Sequence, residues 1–457
     1  MELYNMLRLP RQGEAASVSR AHSARSLSGG ASLAILLRPR RHMRILLLTQ
    51  FYWPEERSAP MNLAALAEFL QANGHEVTVV TGFPNHPFGR LYPGYRMRWR
   101  QWDEVRGVRV LRVPLHPDHS LSVPRRGWSY ASFALSAATL GAWLTRRVAP
   151  DVLLVYLPPL TNWLPVRLLT WIHGVPVVYW ETDLWPDALA ATGHELPAWI
   201  RRPIQGVDRA VHRRAAKVCV NSPGLARRLE EKGVDPGVLE VVTDWADESL
   251  FFPVEPDARL AAEHHLTGTF NVMYGGNLGP AQGLRTVVAA AERLADVEDL
   301  RFVLVGSGED EAGLRAEVDA KGLTNVRFVP RQPMTSIRHF YALADALLVH
   351  LRPDPLFELQ IPSKIMAYLA CGRPILCAVT GPGADIVREA GAGVCAPPGD
   401  EAAIAAAVRR LYEMTSDERQ RLGRNGRRAY LARYTRAIQS RRFEQVLAEV
   451  VARRGRA

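Results

Sequence analysis

Two successive series of short apolar runs, each ending in turn residues and separated by helical stretches, constrain the fold more than any other feature of the chain. The first opens with "MRILLLTQFYWPE" (43–55), a continuous apolar run of the kind a strand buried on both faces requires. "APMNLAALAEFLQANGHEVTVVTG" follows, with apolar residues at helical spacing, a stop at Gly74 and the strand "EVTVVTG", which together make a βαβ unit. "VRVLRVP", "DVLLVYLPP", "PVVYWETD" and "AAKVCVNS" continue the strands. The second series begins at "FNVMYGGNLG" (270–279) and runs through "LRFVLVGSGED", "NVRFVP", "ADALLVHL", "PILCAV" and "GAGVCAPP". The pattern predicts an α/β protein with two Rossmann-like, doubly wound parallel-sheet domains, over 43–250 and 251–430. A polar, Pro-bearing connection lies near 243–265, and a C-terminal helix over 431–457 closes the chain.

Size and charge narrow the class. At 457 residues the chain exceeds one compact core. Hydrophobic residues at 47% and charged residues at 23% exclude a disordered or fibrous protein. The net charge of +11 favours anionic partners such as phosphates, nucleotides and acidic membrane surfaces. No arginine–aromatic stripe or reader motif supports nucleic acid. The cations are almost all arginine; Lys217, Lys232, Lys321 and Lys364 are the only lysines. Four scattered cysteines without CxxC spacing argue against a zinc site and suit a reducing cytoplasm.

Residues 1–42, with seven arginines and two acids, form an N-terminal extension. It reads either as a leader or as a start assigned upstream of Met43, and the second reading is the expectation. No apolar run is long enough to span a membrane. "RRGWSYASFALSAATLGAWLTRR" (125–147) comes nearest. It reads as a core-facing helix or as one lying in a membrane interface, with arginines at headgroups and Trp128 and Trp143 at the boundary.

Three loops carry candidate chemistry. "YGGNLGPAQGL" places Gly276, Asn277 and Gln282 after a strand and before a helix, where backbone N–H groups can approach phosphate. Its spacing is not the dinucleotide GxGxxG. "VGSGED" adds Gly306 in a second turn of the same sheet. "LFELQIPSKIMAYLACGRPIL" opens a helix with Pro362, Ser363 and Lys364. Pro suits a first helical turn, and the free N–H groups behind it attract anions. Lys364 puts a cation at the positive end of the helix dipole, so either a bound anion such as a nucleotide diphosphate offsets it, or the solvated lysine tolerates roughly a few tenths of a kcal/mol. In "YWETDLWPDALAATG", Glu181, Asp183 and Asp187 fall at a strand end. Asp183 reads as an acceptor-hydroxyl contact or general base, and equally as a helix N-cap. His86 and His119 lie in loops that could border an acceptor, and His75 reads as a surface turn residue.

With "FYWPEERSAP", "GHEVTVVTGFPNHPFGRLYPGY" and "DLWPDAL", these segments make residues 43–430 resemble a family 4 glycosyltransferase of GT-B architecture. The branch it resembles builds O-antigen, colanic-acid and related exopolysaccharide repeat units. The resemblance implies a metal-independent, retaining transferase with no cofactor. Its second domain would hold a nucleotide-sugar, with UDP as the expected nucleotide, and its first an acceptor, across an interdomain cleft. Carried over by position, Gly276, Asn277 and Gln282 lie where the family holds the diphosphate, with Ser363 and Lys364 beside it; Gly306, in its own glycine turn, is a further donor-binding candidate. Arg331 lies near the base and Glu358 near the donor sugar, where it would act in catalysis with Asp183. Ala59, Pro60 and Asn62 lie in the loop after the first strand. Glu181, Trp185, His86 and His119 fall on the acceptor side.

The chain departs from the family where Asn277 and Gln282 replace an arginine and a lysine. The usual pair of glutamates is also broken: Ala367 and Leu359 stand at their positions, with Glu358 one residue off. The expected acceptor is a polyprenyl-diphosphate-linked saccharide, reached by peripheral contact with the inner face of the plasma membrane. A nucleotide-sugar 2-epimerase of the same architecture and a non-catalytic nucleotide- or glycan-binding homologue are the alternatives.

Overall fold

The computed structural model describes residues 42–55, 58–119, 122–184 and 197–455. Each series of apolar runs forms one sheet. The first has the order β3-β4-β2-β1-β5-β6-β7-β8, from β1 (Arg44–Leu48), β2 (Glu76–Gly82), β3 (Gln101–Val105), β4 (Val108–Val113), β5 (Val152–Tyr156), β6 (Val177–Glu181), β7 (Lys217–Val220) and β8 (Leu239–Val241). The second has the order β11-β10-β9-β12-β13-β14, from β9 (Phe270–Asn277), β10 (Leu300–Ser307), β11 (Val326–Val329), β12 (Ala346–His350), β13 (Ile375–Ala378) and β14 (Gly393–Cys395). Every pairing is parallel except β3 with β4. That hairpin is absent from the sequence reading. Val105 pairs with Val108 across a two-residue turn, and Arg106 and Gly107 both adopt positive φ (52° and 81°), as a type I′ turn requires.

The strands β1, β5 and β6 are almost wholly buried because helices cover both faces of their sheet. In each sheet the strand order reverses beside the first strand of its series, between β1 and β5 and between β9 and β12. A doubly wound sheet opens its ligand crevice at such a point, at the carboxyl ends of the strands.

The C-terminal stretch is two helices, not one. Ser416–Arg433 packs with the second sheet, and Thr435 then caps a new helix, Arg436–Arg454, by accepting from the Ile438 N–H. That last helix returns to the first sheet, where Phe443, Val446, Leu447 and Val450 join its core. Phe443 lies 4.5 Å from the Trp180 ring, which stacks on Trp245 at 5.8 Å. His75 is correspondingly not a surface residue: it is 3% exposed, and its Nδ1 accepts from the Met43 N–H at 3.3 Å. Its Nε2 therefore donates to Glu444 at 3.0 Å, which fixes the returning helix to β1.

The 125–147 stretch is helical from Val123 to Ser136, widens into a π turn over Ala137–Gly141, and resumes over Ala142–Thr145. Phe133, Ala134, Ala137 and Ala142 are buried, whereas Trp128, Leu135 and Trp143 are exposed. The helix is thus core-facing on one side and bare on the other.

Candidate active site

Two adjoining cavities lie between the sheets. The larger, about 560 Å3, is lined by Gly275, Gly276, Asn277, Gly306, Ser307 and Arg331 from the second half and by Asn62 and Trp245 from the first. The smaller, about 280 Å3, is lined by Tyr156, Thr182, Asp183, Asn221 and Asp244 from the first half and by Gln360, Ile361 and Pro362 from the second. Ser58, Gln282, Ser363 and Lys364 border both.

Glycine is required in the larger cavity for close approach. A Cβ on Gly306 would sit 1.8 Å from the Gly276 carbonyl oxygen, where β9 and β10 pair. A Cβ on Gly276 would fall 2.6 Å from Lys364 Cε and 2.7 Å from Nζ, so the lysine lies directly on the bare glycine. Its ammonium sits 4.9 Å from the centre of the Tyr274 ring. Among the described residues Lys364 makes no ion pair. Burial pushes its pKa down from 10.5 to about 8. The helix Ser363–Cys371 starts at the same point, with Pro362 as its N-cap, and so turns unpaired N–H groups toward the cavity. A cation and a positive helix end converge there without a protein anion, which is the chemistry of a phosphate site.

Asn277 and Gln282 border this site but bond to each other, Asn277 Nδ2 donating to Gln282 Oε1 at 3.2 Å. The Gln282 carbonyl is held by His350, a residue the sequence reading passed over. His350 Nδ1–H donates to that carbonyl at 2.6 Å while Nε2 accepts from the Gly399 N–H at 3.3 Å. This network assigns the neutral tautomer, and burial lowers the pKa of His350 accordingly.

The smaller cavity is acidic. Asp244 accepts from Asn221 at 2.8 Å and from Asn62 at 3.4 Å, and burial raises its pKa despite both bonds. Asp183 is reached by water but surrounded by the protein of the cleft floor. Desolvation, with the nearby charges of Asp244 and Glu181, raises its pKa to about 6, against a hydrogen bond from Gln360. Near neutral pH this carboxylate can accept a proton from a hydroxyl. The buried Trp180 Nε1 and Asn221 Oδ1 have no hydrogen-bond partners among the described residues, which leaves a donor and an acceptor beside the carboxylates.

Gly276, Asn277, Gln282, Gly306, Arg331, Ser363, Lys364 and Asn62 therefore meet at the larger cavity, and Ala59 and Asp183 at the smaller. Ala59, Pro60 and Asn62 belong to the first turns of the helix Ser58–Ala72, not to a loop, and Pro60 is buried away from both cavities. Glu181 is 1% exposed and turned from the cleft: His212 Nε2 donates to it at 2.8 Å, while Nδ1 lies 3.5 Å from Asp208. Burial opposes charge on His212, but the Glu181 bond and the two carboxylates outweigh it and raise its pKa. Glu358 lines a separate crevice with Asp354 and Phe357, and Gln360 occupies the cleft in its place. His86 and His119 do meet, Nδ1 to Nδ1 at 3.2 Å, but line neither cavity. Trp185 and Asp187 lie outside the described residues. Asn221, Asp244 and Gln360 were missed; a polar residue just past a parallel strand was the available signal for the first two.

Two parallel-sheet halves around such a cleft define the GT-B class of fold. Residues 61–245 match the family model "Glycosyl transferase 4-like domain" and residues 259–429 match "Glycosyl transferases group 1". The chain belongs to these group 1, family 4 glycosyltransferases of GT-B architecture. It is similar to the putative colanic acid biosynthesis glycosyl transferase WcaI of Escherichia coli K12, at 28% identity over 376 residues, covering 80% of this chain and 91% of the relative. In fold it is similar to sucrose-phosphate synthase from Thermosynechococcus elongatus (TM-score 0.69, 20% identity, 90% of this chain and 100% of that one). It is likewise similar to Anabaena HepE in complex with UDP (TM-score 0.67, 16% identity, 89% and 100%).

Proposed function

We propose that this glycosyltransferase moves a sugar, with retention of anomeric configuration, from a UDP-sugar to a polyprenyl-diphosphate-linked saccharide in cell-surface polysaccharide assembly. The observation that carries the reading is Lys364, an ammonium without a protein anion, set against Gly276 on the wall shared by the two cavities. The larger cavity takes the nucleotide, with Arg331 toward the base and the diphosphate on Gly276, Gly306 and the start of the Ser363–Cys371 helix.

Lys364 and the helix N–H groups stabilise charge developing on the leaving diphosphate, the task a divalent metal performs elsewhere. The donor sugar then projects past Lys364 into the smaller cavity, where Asp183 receives the proton of the acceptor hydroxyl as the new glycosidic bond forms. The UDP assignment is supported by the HepE complex and the saccharide class by the WcaI relative. In this reading the lipid-linked acceptor is met by peripheral contact on the cytoplasmic side; no helix among the described residues is long and apolar enough to cross a membrane.

Thermal-shift titration with UDP, GDP, ADP and dTDP tests the donor site. Selective stabilisation by UDP, lost in Lys364→Ala and insensitive to EDTA, is expected. No stabilisation by any of the four at millimolar concentration would leave a non-catalytic homologue as the better reading. NMR of the product from an α-linked donor reads the anomeric outcome, and a β-linked product would overturn retention.

A further inference from the structure

A third cavity, about 460 Å3 and sharing no residue with the cleft, opens on the first half between the helices Val123–Ser136, Trp163–His173 and Ala198–His212. Its walls are almost entirely apolar, with Tyr130, Leu135, Trp163, Leu164, Ile204 and Val207 among them. Each helix extends the groove into an exposed tryptophan on the same stripe. Trp128 and Leu135 lie seven residues apart, Leu164 and Trp171 likewise, and Trp199 and Pro203 four apart. Trp128, Trp171 and Trp199 are 55%, 81% and 76% exposed. Single exposed apolar residues are ordinary, but a contiguous apolar groove continued by bare indoles marks a binding surface.

Charge decides what binds. Residues 123–173 contain one acid, Asp151, and it is paired with Arg44 at a strand start. The third helix contains only Asp208, turned inward to His212. Against these stand Arg125, Arg146, Arg147, Arg167, Arg201 and Arg202, none in an ion pair among the described residues. Arg146 lies 4.9 Å over the Trp143 ring, itself exposed. Uncompensated arginines around indoles and an apolar furrow match the strata of an anionic bilayer leaflet: phosphate headgroups, the interfacial zone and hydrocarbon. A soluble protein partner of matching charge would need no hydrocarbon-deep groove.

We infer that this face docks on an anionic lipid leaflet, with one lipid hydrocarbon chain seated in the groove between Leu135, Leu164 and Ile204. The inference gives a place to the membrane contact in the proposed function and rests on that reading for its purpose, but its test does not depend on turnover. The full chain is sedimented with vesicles of phosphatidylcholine alone or mixed with phosphatidylglycerol. Partition into the anionic vesicles is expected to be roughly tenfold stronger and to weaken with salt. Leu164→Glu and the double variant Arg201→Glu/Arg202→Glu should each lower it by roughly tenfold. Brominated acyl chains should quench tryptophan emission in the parent and less in Trp171→Phe.

Equal partition into both vesicles, none at all, or partition indifferent to Leu164→Glu overturns the inference. So does a dimer seen by light scattering that Leu164→Glu dissolves, since the groove would then belong to a second copy. UDP-induced stabilisation, measured on every variant, reports an intact fold and separates failure of docking from failure of the transferase reading.

Discussion

Lys364→Met should make the ligand-free protein more stable and the nucleotide complex weaker, two effects of opposite sign from one atom. In the free protein burial holds the ammonium at a pKa of about 8 instead of 10.5. At about 1.4 kcal/mol per pH unit, keeping it charged costs about 3 kcal/mol at neutral pH. Between pH 8 and 10.5 the unfolded chain binds the proton and the folded one does not, so stability rises with pH across that window and is lowest below it. Methionine retains the stem and removes the cost. In the proposed nucleotide complex the same ammonium would face phosphate oxygens, and a charge-assisted contact of about 1.5–3 kcal/mol would be lost, which is about 10- to 150-fold in affinity.

Calorimetric unfolding of the free proteins should place the variant several degrees higher near pH 7. Titration with UDP between about pH 7 and about pH 9 should show parent affinity falling above pH 8 and a flat, weaker response in the variant. A variant that binds UDP as tightly as the parent would refute the phosphate role. One that unfolds at lower temperature than the parent would refute the burial cost.

Gly276→Ala should displace Lys364 and weaken UDP roughly tenfold or more, because the new methyl lies 2.7 Å from Nζ, and it should also lower the melting temperature, because residue 276 has φ +144°, which alanine adopts only under strain. Asp183→Asn should lower turnover by roughly a hundredfold or more while leaving UDP affinity intact; in the parent, activity should rise with pH through about 6. The same raised pKa means that Asp183 lowers stability as pH rises from 3.8 to about 6, so the Asn variant should be the more stable near neutrality, as its denaturation midpoint will report. Phe443→Ala, which strips a ring from Trp180 and the first core, should cost about 3–5 kcal/mol in urea unfolding.

The strand series was legible because parallel strands covered on both faces read as unbroken apolar runs, and all twelve runs quoted in the two series correspond to strands of the two sheets. The hairpin strand β3 was not, since its half-exposed residues alternate without a strong apolar signal. Within the site, residues whose placement depends on their own loop were readable: Gly276, Gly306 and Lys364 line the larger cavity. Residues whose role depends on a distant partner were not. His75 reads as a turn until Glu444, far along the chain, closes on it. Glu181 and Asp183 look equivalent two residues apart, yet one is the last residue of β6 and faces His212, while the other lies past the strand and faces the cleft. Gln360 carries no signal of its own in the sequence, and only the docking of its segment on the other half gives it a place beside Asp183.

That docking has a bearing on recombination. Leu356 is buried in the core of the first half, Leu359 packs against it, and the Leu359 carbonyl accepts from the Ser222 hydroxyl. A Cβ on Gly224 would come within 2.4 Å of the same carbonyl. The segment is encoded in the second half yet anchored in the first, as is the terminal helix that carries Phe443. A hybrid transferase joined at a single seam near residue 250 would therefore inherit mismatched surfaces at two places. A viable exchange of acceptor halves must transplant three stretches together: the first sheet with its helices, residues 356–360, and the last helix.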